Sequence, residues 1–392
     1  MITAIRNGKI ITPYRIIENA TVVIKDGYIL DVHEEPMEIS EDEINIIDAN
    51  GLYVSPGFID IHTHGGGGFD FMDGRYEDFI GGGLAHLKHG TTTIVPTTLT
   101  SSREELIQNI ESFKKAQKSS NGPEFLGLHL EGPYFSMEMK GAQDPRYIKN
   151  PDPNEYLEIL NIGDGAIIRW SVAPELDGAL QLGTELRKRN ILPSIAHSAA
   201  VYEDVYKAFE NGYTHVTHFY SAMSMLKRIN GYRYLGVVES TYLIDEMTVE
   251  IIADGSHLPS ELIQLIYKIK GSDRICLVTD SMRGAGMPEG EYILGSIKDG
   301  QRVIVEDNVA KLPDRSAFAG SVATSDMLVR VMYKDVQVPL TEAIKMITAT
   351  PAKIMGIDNR KGTISRGKEA DLVFFDEDIN VEKVLIKGKT VD

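Results

Sequence analysis

Eight short runs rich in aliphatic and β-branched residues begin near Gly57, Thr92, Phe125, Ala166, Leu192, Thr214, Val249 and Arg274. Segments of helical character separate them. Ser102-Arg103-Glu104-Glu105 has the form of a capping box ahead of Leu106, Ile110 and Phe113, and Val201, Val205 and Phe209 recur at i+4 before Gly212. Eight strands alternating with helices over roughly 300 residues predict an α/β fold of the (β/α)8 TIM-barrel type. The rival architecture is a doubly wound open sheet, but no Gly-x-Gly-x-x-Gly follows a strand and no Walker-type loop occurs.

The two ends have a different texture. Ala20 to Ile24 and Tyr28 to Val32 flank Asp26-Gly27, a pair favoured in tight hairpin turns, and β-type runs return at Ala370 to Phe375 and Val384 to Ile386. The expectation is a small β-sandwich domain formed from both chain termini, residues 1–55 plus 357–392, beside a barrel spanning 56–356. A chain of 392 residues has room for both.

Composition narrows the partners. Forty Lys and Arg against 57 Asp and Glu give a net charge of −17, a field that repels nucleic-acid backbones and anionic lipid surfaces, so no nucleic-acid or membrane partner is expected. No stretch approaches the roughly 18 apolar residues that span a bilayer, and the N-terminus has no apolar run after a basic start. The single cysteine, Cys276, cannot form an intramolecular disulfide. A cytoplasmic protein is expected.

Chemistry gathers where the strands should end. In Phe58-Ile59-Asp60-Ile61-His62-Thr63-His64, the period-two alternation of a strand puts His62 and His64 on one side, where they can grip one metal. The third strand ends in His129-Leu130-Glu131, the fifth runs into His197, the sixth into His218 and the eighth into Asp280. Catalytic groups on a barrel come from the carboxyl ends of several strands, so five strands converge on one mouth. Neutral imidazoles and carboxylates suit zinc, iron, manganese or cobalt.

The same residues, in the same order, resemble the amidohydrolase superfamily and, within it, the N-acetylglucosamine-6-phosphate deacetylase family. The resemblance rests on Pro56-Gly57-Phe58-Ile59-Asp60-Ile61-His62-Thr63-His64-Gly65, His129-Leu130-Glu131-Gly132-Pro133-Tyr134, Ala196-His197-Ser198, Thr217-His218-Phe219-Tyr220-Ser221-Ala222-Met223, Ile252-Ala253-Asp254-Gly255-Ser256-His257 and Leu277-Val278-Thr279-Asp280. It implies a metal site of Glu131, His197 and His218, with a second available to His62 and His64, so one or two divalent ions per chain, zinc foremost. It further implies that Asp280 serves as base and then acid in removing an N-acetyl group, that His257 helps stabilise the oxyanion, and that Ser221 and Ala222 lie at the substrate. The implied substrate is an N-acetylated amino-sugar phosphate, and the implied assembly is a homodimer.

Two positions depart from the family pattern. Gln143 stands where a His is common and Ser221 where an Asn is common, which bears on the identity of the sugar. For the phosphate, Arg233 preserves the family's distance to His257, whereas Arg228 preserves its nearness to Ser221-Ala222-Met223; Arg233 is preferred. The alternatives are a deacetylase of another N-acyl sugar or sugar phosphate, another amidohydrolase reaction, and a non-catalytic sugar-phosphate sensor. Asp280 argues against a sensor, and Ile168-Arg169-Trp170-Ser171 supplies no lysine ligand on the fourth strand.

Overall fold

Strands at Phe58–Thr63, Thr91–Pro96, Leu128–Glu131, Ile167–Val172, Leu192–Ile195, His215–Val216, Thr248–Ile251 and Ile275–Leu277 form the parallel barrel of the computed structural model, which describes residues 2–35, 44–119 and 122–391. The third to eighth barrel strands pair in chain order, and the first pairs with the second. A parallel bridge between Thr97 and His129 joins the second to the third. The ring is completed where the Asp280 N–H donates to the His62 carbonyl at 2.9 Å, so the closing bond links two residues of the expected site.

Local sequence explains the helices that cover the barrel. Ser102 caps Arg103–Ala116 by accepting from the Glu105 N–H at 3.2 Å, and the helix buries Leu106, Ile110 and Phe113 along one stripe. Tyr202–Glu210 ends at Asn211 and Gly212, with Gly212 at φ +102°, a conformation that suits glycine.

The terminal segments build one small β unit. Its hydrogen-bonded order is 389–391, 381–386, 372–375, 53–56, 2–11, 16–25 and 28–33, with 44–48 also paired to 2–11. The strand Ile2–Ile11 pairs with Ile44–Asp48 through its first half and with Tyr53–Pro56 through its second, and its register against Ile16–Lys25 shifts on either side of Gly8. A Cβ at Gly8 would lie 2.9 Å from Val54, so only glycine lets the bent strand pass that close. Bending of this kind folds the strands into a sandwich around Ile5, Ile10, Val22, Ile24, Leu372, Phe374 and Leu385.

One element departs from the alternating pattern read in the sequence. After the eighth barrel strand, Gly290–Leu294, Gln301–Glu306 and Val309–Lys311 form a separate antiparallel sheet. Its second turn is Asp307-Asn308, both at positive φ, and Leu294, Val303, Val305 and Ala310 pack on Met282 and Ala319. Among the described residues, no helix is long and apolar enough to cross a membrane.

The barrel floor is tied to the C-terminal segment by charge. Glu124 accepts from Arg360 at 2.5 and 2.9 Å and faces the Lys361 ammonium at 3.1 Å, and Lys361 also pairs with Glu369 and Asp371. Burial opposes ionisation of Glu124, but Arg360 and Lys361 prevail and hold its carboxyl at about 2, below its ordinary 4.5. A depressed folded-state value stabilises the protein above the unfolded-state value and ceases to do so as pH falls through the folded one. Glu124→Gln is therefore expected to cost about 1.5–3 kcal/mol at neutral pH. In denaturant titrations across pH, the gap from the parent should narrow between pH 4.5 and about 2.

Candidate metal centre and active site

Glu131, the last residue of the third barrel strand, stands at the middle of the barrel mouth. Its Oε1 lies 3.0 Å from His218 Nε2, 3.5 Å from His197 Nε2 and 3.6 Å from His62 Nε2, while Oε2 lies 3.4 Å from His64 Nε2. The donors form two buried triads that share the carboxylate: His62, His64 and Glu131, and Glu131, His197 and His218. Asp280 Oδ1 approaches His64 Nε2 at 3.1 Å and His62 Nε2 at 3.3 Å.

The tautomers follow from the outer ring nitrogens. His62 Nδ1 donates to Glu250 at 2.9 Å, His64 Nδ1 to the Thr97 carbonyl at 3.3 Å and His197 Nδ1 to the Met139 carbonyl at 2.8 Å. Three Nε2 lone pairs therefore face carboxylate oxygens, and His197 Nε2 and His218 Nε2 meet at 3.2 Å. The buried Nε2 of His62 has no hydrogen-bond partner. Lone pairs and anionic oxygens at such distances repel unless a cation lies among them, and this nitrogen and oxygen set fits one or two divalent ions.

Electrostatics agree with the geometry. Burial opposes a charge on His64, yet the Asp280 and Glu131 carboxylates outweigh it and push the imidazole up to about 10. Burial likewise opposes ionisation of Glu131, but the surrounding imidazoles hold its carboxyl well below the usual range. The position favours positive charge, whether proton or metal.

Backbone strain concentrates here. His197, His218 and Asp280 have φ of +45°, +28° and +46°, and Tyr220 and Ala222 have +74° and +48°. Non-glycine residues adopt that region at a cost of about 1–3 kcal/mol each, and the barrel sustains it at the residues whose side chains must turn into the mouth.

A cavity of about 430 Å³ opens over the centre and is lined by His64, Glu131, Gln143, His197, His218, Ser221, Ala222, His257 and Asp280, with Glu138, Leu294 and Phe318 on its walls. Gln143 lines it with both polar atoms engaged: Nε2 donates to Glu131 at 2.8 Å and Oε1 accepts from the Thr100 N–H at 2.9 Å. His257 Nδ1 donates to Asp254 at 2.7 Å, and the ring packs on Phe318. Arg228 and Arg233 do not reach this cavity within the chain. They sit across from each other on an exposed hairpin of Lys227–Ile229 and Tyr232–Tyr234.

Sequence reasoning missed Glu250 and Arg169. Neither stands at a strand end or in a motif; each is a charged residue in an apolar strand, and that was the available signal. It also left aside Asp254, which fixes His257, and the 290–320 region that walls the cavity.

Residues 53–391 match the amidohydrolase family. The chain is 33% identical to the N-acetylglucosamine-6-phosphate deacetylase of Lysinibacillus sphaericus, covering 98% of this chain and 96% of that one. It is 28% identical to the N-acetylgalactosamine-6-phosphate deacetylase of Escherichia coli O157:H7 over 99% of both. Among solved structures, a point mutant of the N-acetyl-D-glucosamine-6-phosphate deacetylase from Mycobacterium smegmatis, in complex with N-acetyl-D-glucosamine 6-phosphate, superimposes with a TM-score of 0.90 at 27% identity, covering 100% of this chain and 98% of that one. The chain belongs to the amidohydrolase superfamily and, within it, to the N-acetylglucosamine-6-phosphate deacetylase family.

Proposed function

We propose that this chain hydrolyses the N-acetyl group of N-acetylglucosamine 6-phosphate, giving glucosamine 6-phosphate and acetate. The observation that carries the reading is the pair of triads sharing Glu131, with Asp280 beside them at the cavity floor. Glu131, His197 and His218 would hold one divalent ion and His62 and His64 would serve a second, which when bound would polarise the acetyl carbonyl and lower the pKa of water; zinc suits the donor set.

The remaining steps belong to the chain's own residues. Asp280 accepts the proton of the attacking water on its carboxylate. It returns that proton to the sugar nitrogen, because an amine leaves poorly unless protonated. Burial opposes ionisation of Asp280, but the His62 and His64 imidazoles hold its carboxyl below the ordinary range, so it starts as the base. His257, held by Asp254 through Nδ1, lines the cavity and serves to stabilise the oxygen on which negative charge develops. Gln143 holds Glu131 in place, and Ser221 and Ala222 border the sugar.

No Lys or Arg lines the cavity among the described residues, so the phosphate partner is proposed to come from a second subunit. The hairpin that carries Arg233 and Arg228 also exposes Ile229, Tyr232 and Tyr234, with Met225 and Leu226 beside it, as a homodimer contact requires. Arg233 is the preferred contact. We assign the chain to the cytoplasm, since its one thiol, Cys276, is buried and unpaired. The terminal unit is taken as residues 1–55 plus 357–392 and the catalytic barrel as 56–356. The second reading is a related N-acyl sugar or sugar phosphate, favoured by Ser221 and by the engaged amide of Gln143.

Metal-loaded protein should release acetate from N-acetylglucosamine 6-phosphate faster than from its 4-epimer or from unphosphorylated sugar; release from none of them would overturn the deacetylase assignment. Asp280→Asn is expected to keep its metal by elemental analysis while turnover falls by a factor of about 10²–10⁴. Arg233→Ala should raise KM for the phosphorylated substrate selectively, by about tenfold or more, as expected for the loss of a charge-assisted contact. A rise seen only in Arg228→Ala would transfer the role.

A further inference from the structure

Glu250 lies in the seventh barrel strand, fully buried beneath the metal centre and outside both triads. Its Oε2 accepts from His62 Nδ1 at 2.9 Å and from the main-chain N–H of His218 at 2.9 Å. One oxygen thus holds a ligand residue from each triad. Its Oε1 takes the Arg169 guanidinium and lies 3.3 Å from His215 Nε2. Arg169, on the fourth strand, donates across the barrel to the Ile61 carbonyl at 3.1 Å, to Thr217 at 2.7 Å and to Ser194 at 3.0 Å. Ile61 and Thr217 are the residues that precede His62 and His218.

Neutralising a buried arginine needs one carboxylate oxygen, yet the second oxygen is committed wholly to His62 and His218. The other histidines use weaker acceptors. His64 and His197 lean on main-chain carbonyls, and His218 Nδ1 is buried without a partner. Of the four histidines in the two triads, His62 is the one whose outer nitrogen donates to a carboxylate, and its opposite nitrogen is left free toward Glu131 and Asp280. A carboxylate on the outer nitrogen fixes the tautomer and makes the inner nitrogen a stronger donor.

We propose that Glu250 is a positioning residue that presets the His62/His64/Glu131 site for metal, with Arg169 orienting its carboxylate. The inference rests on the two-site reading of the centre. Glu250 sets the affinity of the second ion chiefly through the Nε2 donor of His62, and it reaches the first site only through the main chain of His218.

Cobalt titration of metal-free protein, followed by visible absorption and elemental analysis, tests it. The parent should bind two ions per chain. Glu250→Gln should weaken the second by about 10–100-fold and leave the first within about threefold. The double variant Arg169→Met/Glu250→Gln, which leaves no buried charge unpaired, should show the same split. Second-ion affinity within threefold of the parent in a cooperatively melting variant overturns the inference, as does equal weakening of both ions, the result of a merely structural role. A parent that takes one ion overturns the two-site reading and this inference with it.

If neither variant folds, the parent decides. Long-range ¹H–¹⁵N spectra of histidine-labelled holoenzyme, with His62 assigned by its loss in His62→Asn, should show an exchange-protected Nδ1 proton. An Nε2–H tautomer, or no Nδ1 proton, overturns the proposal.

Discussion

The structure turns on a carboxylate that faces four imidazoles. Glu131 is buried, negatively charged and approached by His62, His64, His197 and His218 within 3.6 Å, so it is tolerable only where positive charge collects. The four histidines come from three barrel strands or the residues just after them. No short segment can bring them together; a closed parallel barrel does, because it sends every strand's carboxyl end to the same face. The closing hydrogen bond between the Asp280 N–H and the His62 carbonyl ties the seam of the barrel to two residues of the site.

That demand reaches into the barrel interior. Arg169, Glu250, His129, His215, Ser171 and Thr217 form a hydrogen-bonded network across the strands, where aliphatic side chains usually fill a barrel of this kind. A buried ion pair such as Arg169 with Glu250 is seldom more stabilising than an apolar replacement of equal volume. What it provides is direction, since hydrogen bonds to charged groups have fixed geometry where packed methyl groups do not. The positive φ at His197, His218 and Asp280 belongs to the same exchange of stability for aim.

Around the mouth, later segments finish what the strands begin. Residues 290–320 wall the cavity with Leu294 and Phe318, the loop after the third strand brings Gln143 onto Glu131, and Asp254 holds His257. On a chain of net charge −17, an anionic substrate meets a repulsive average surface, so the local cations at the mouth decide whether it enters. Within this chain the candidate metal centre is the place at the mouth suited to positive charge, and Arg228 and Arg233 stand on an exposed hairpin.

The barrel, the sandwich from both termini and the side chains of the two candidate metal triads are legible in the order of amino acids. Strand periodicity and strand-end position are local properties: His62 and His64 share a side because a strand repeats every two residues, and Glu131 ends its strand because the apolar run stops there. The 290–311 sheet left only a weak local mark, the Asp307-Asn308 turn, and was absorbed into the alternating pattern. Which charges meet was settled in three dimensions. Arg169 and Glu250 are 81 positions apart, and Gln143 turned out to grip Glu131 with its amide occupied. Pairings of this kind depend on how strands close in space, which no periodicity along the chain encodes.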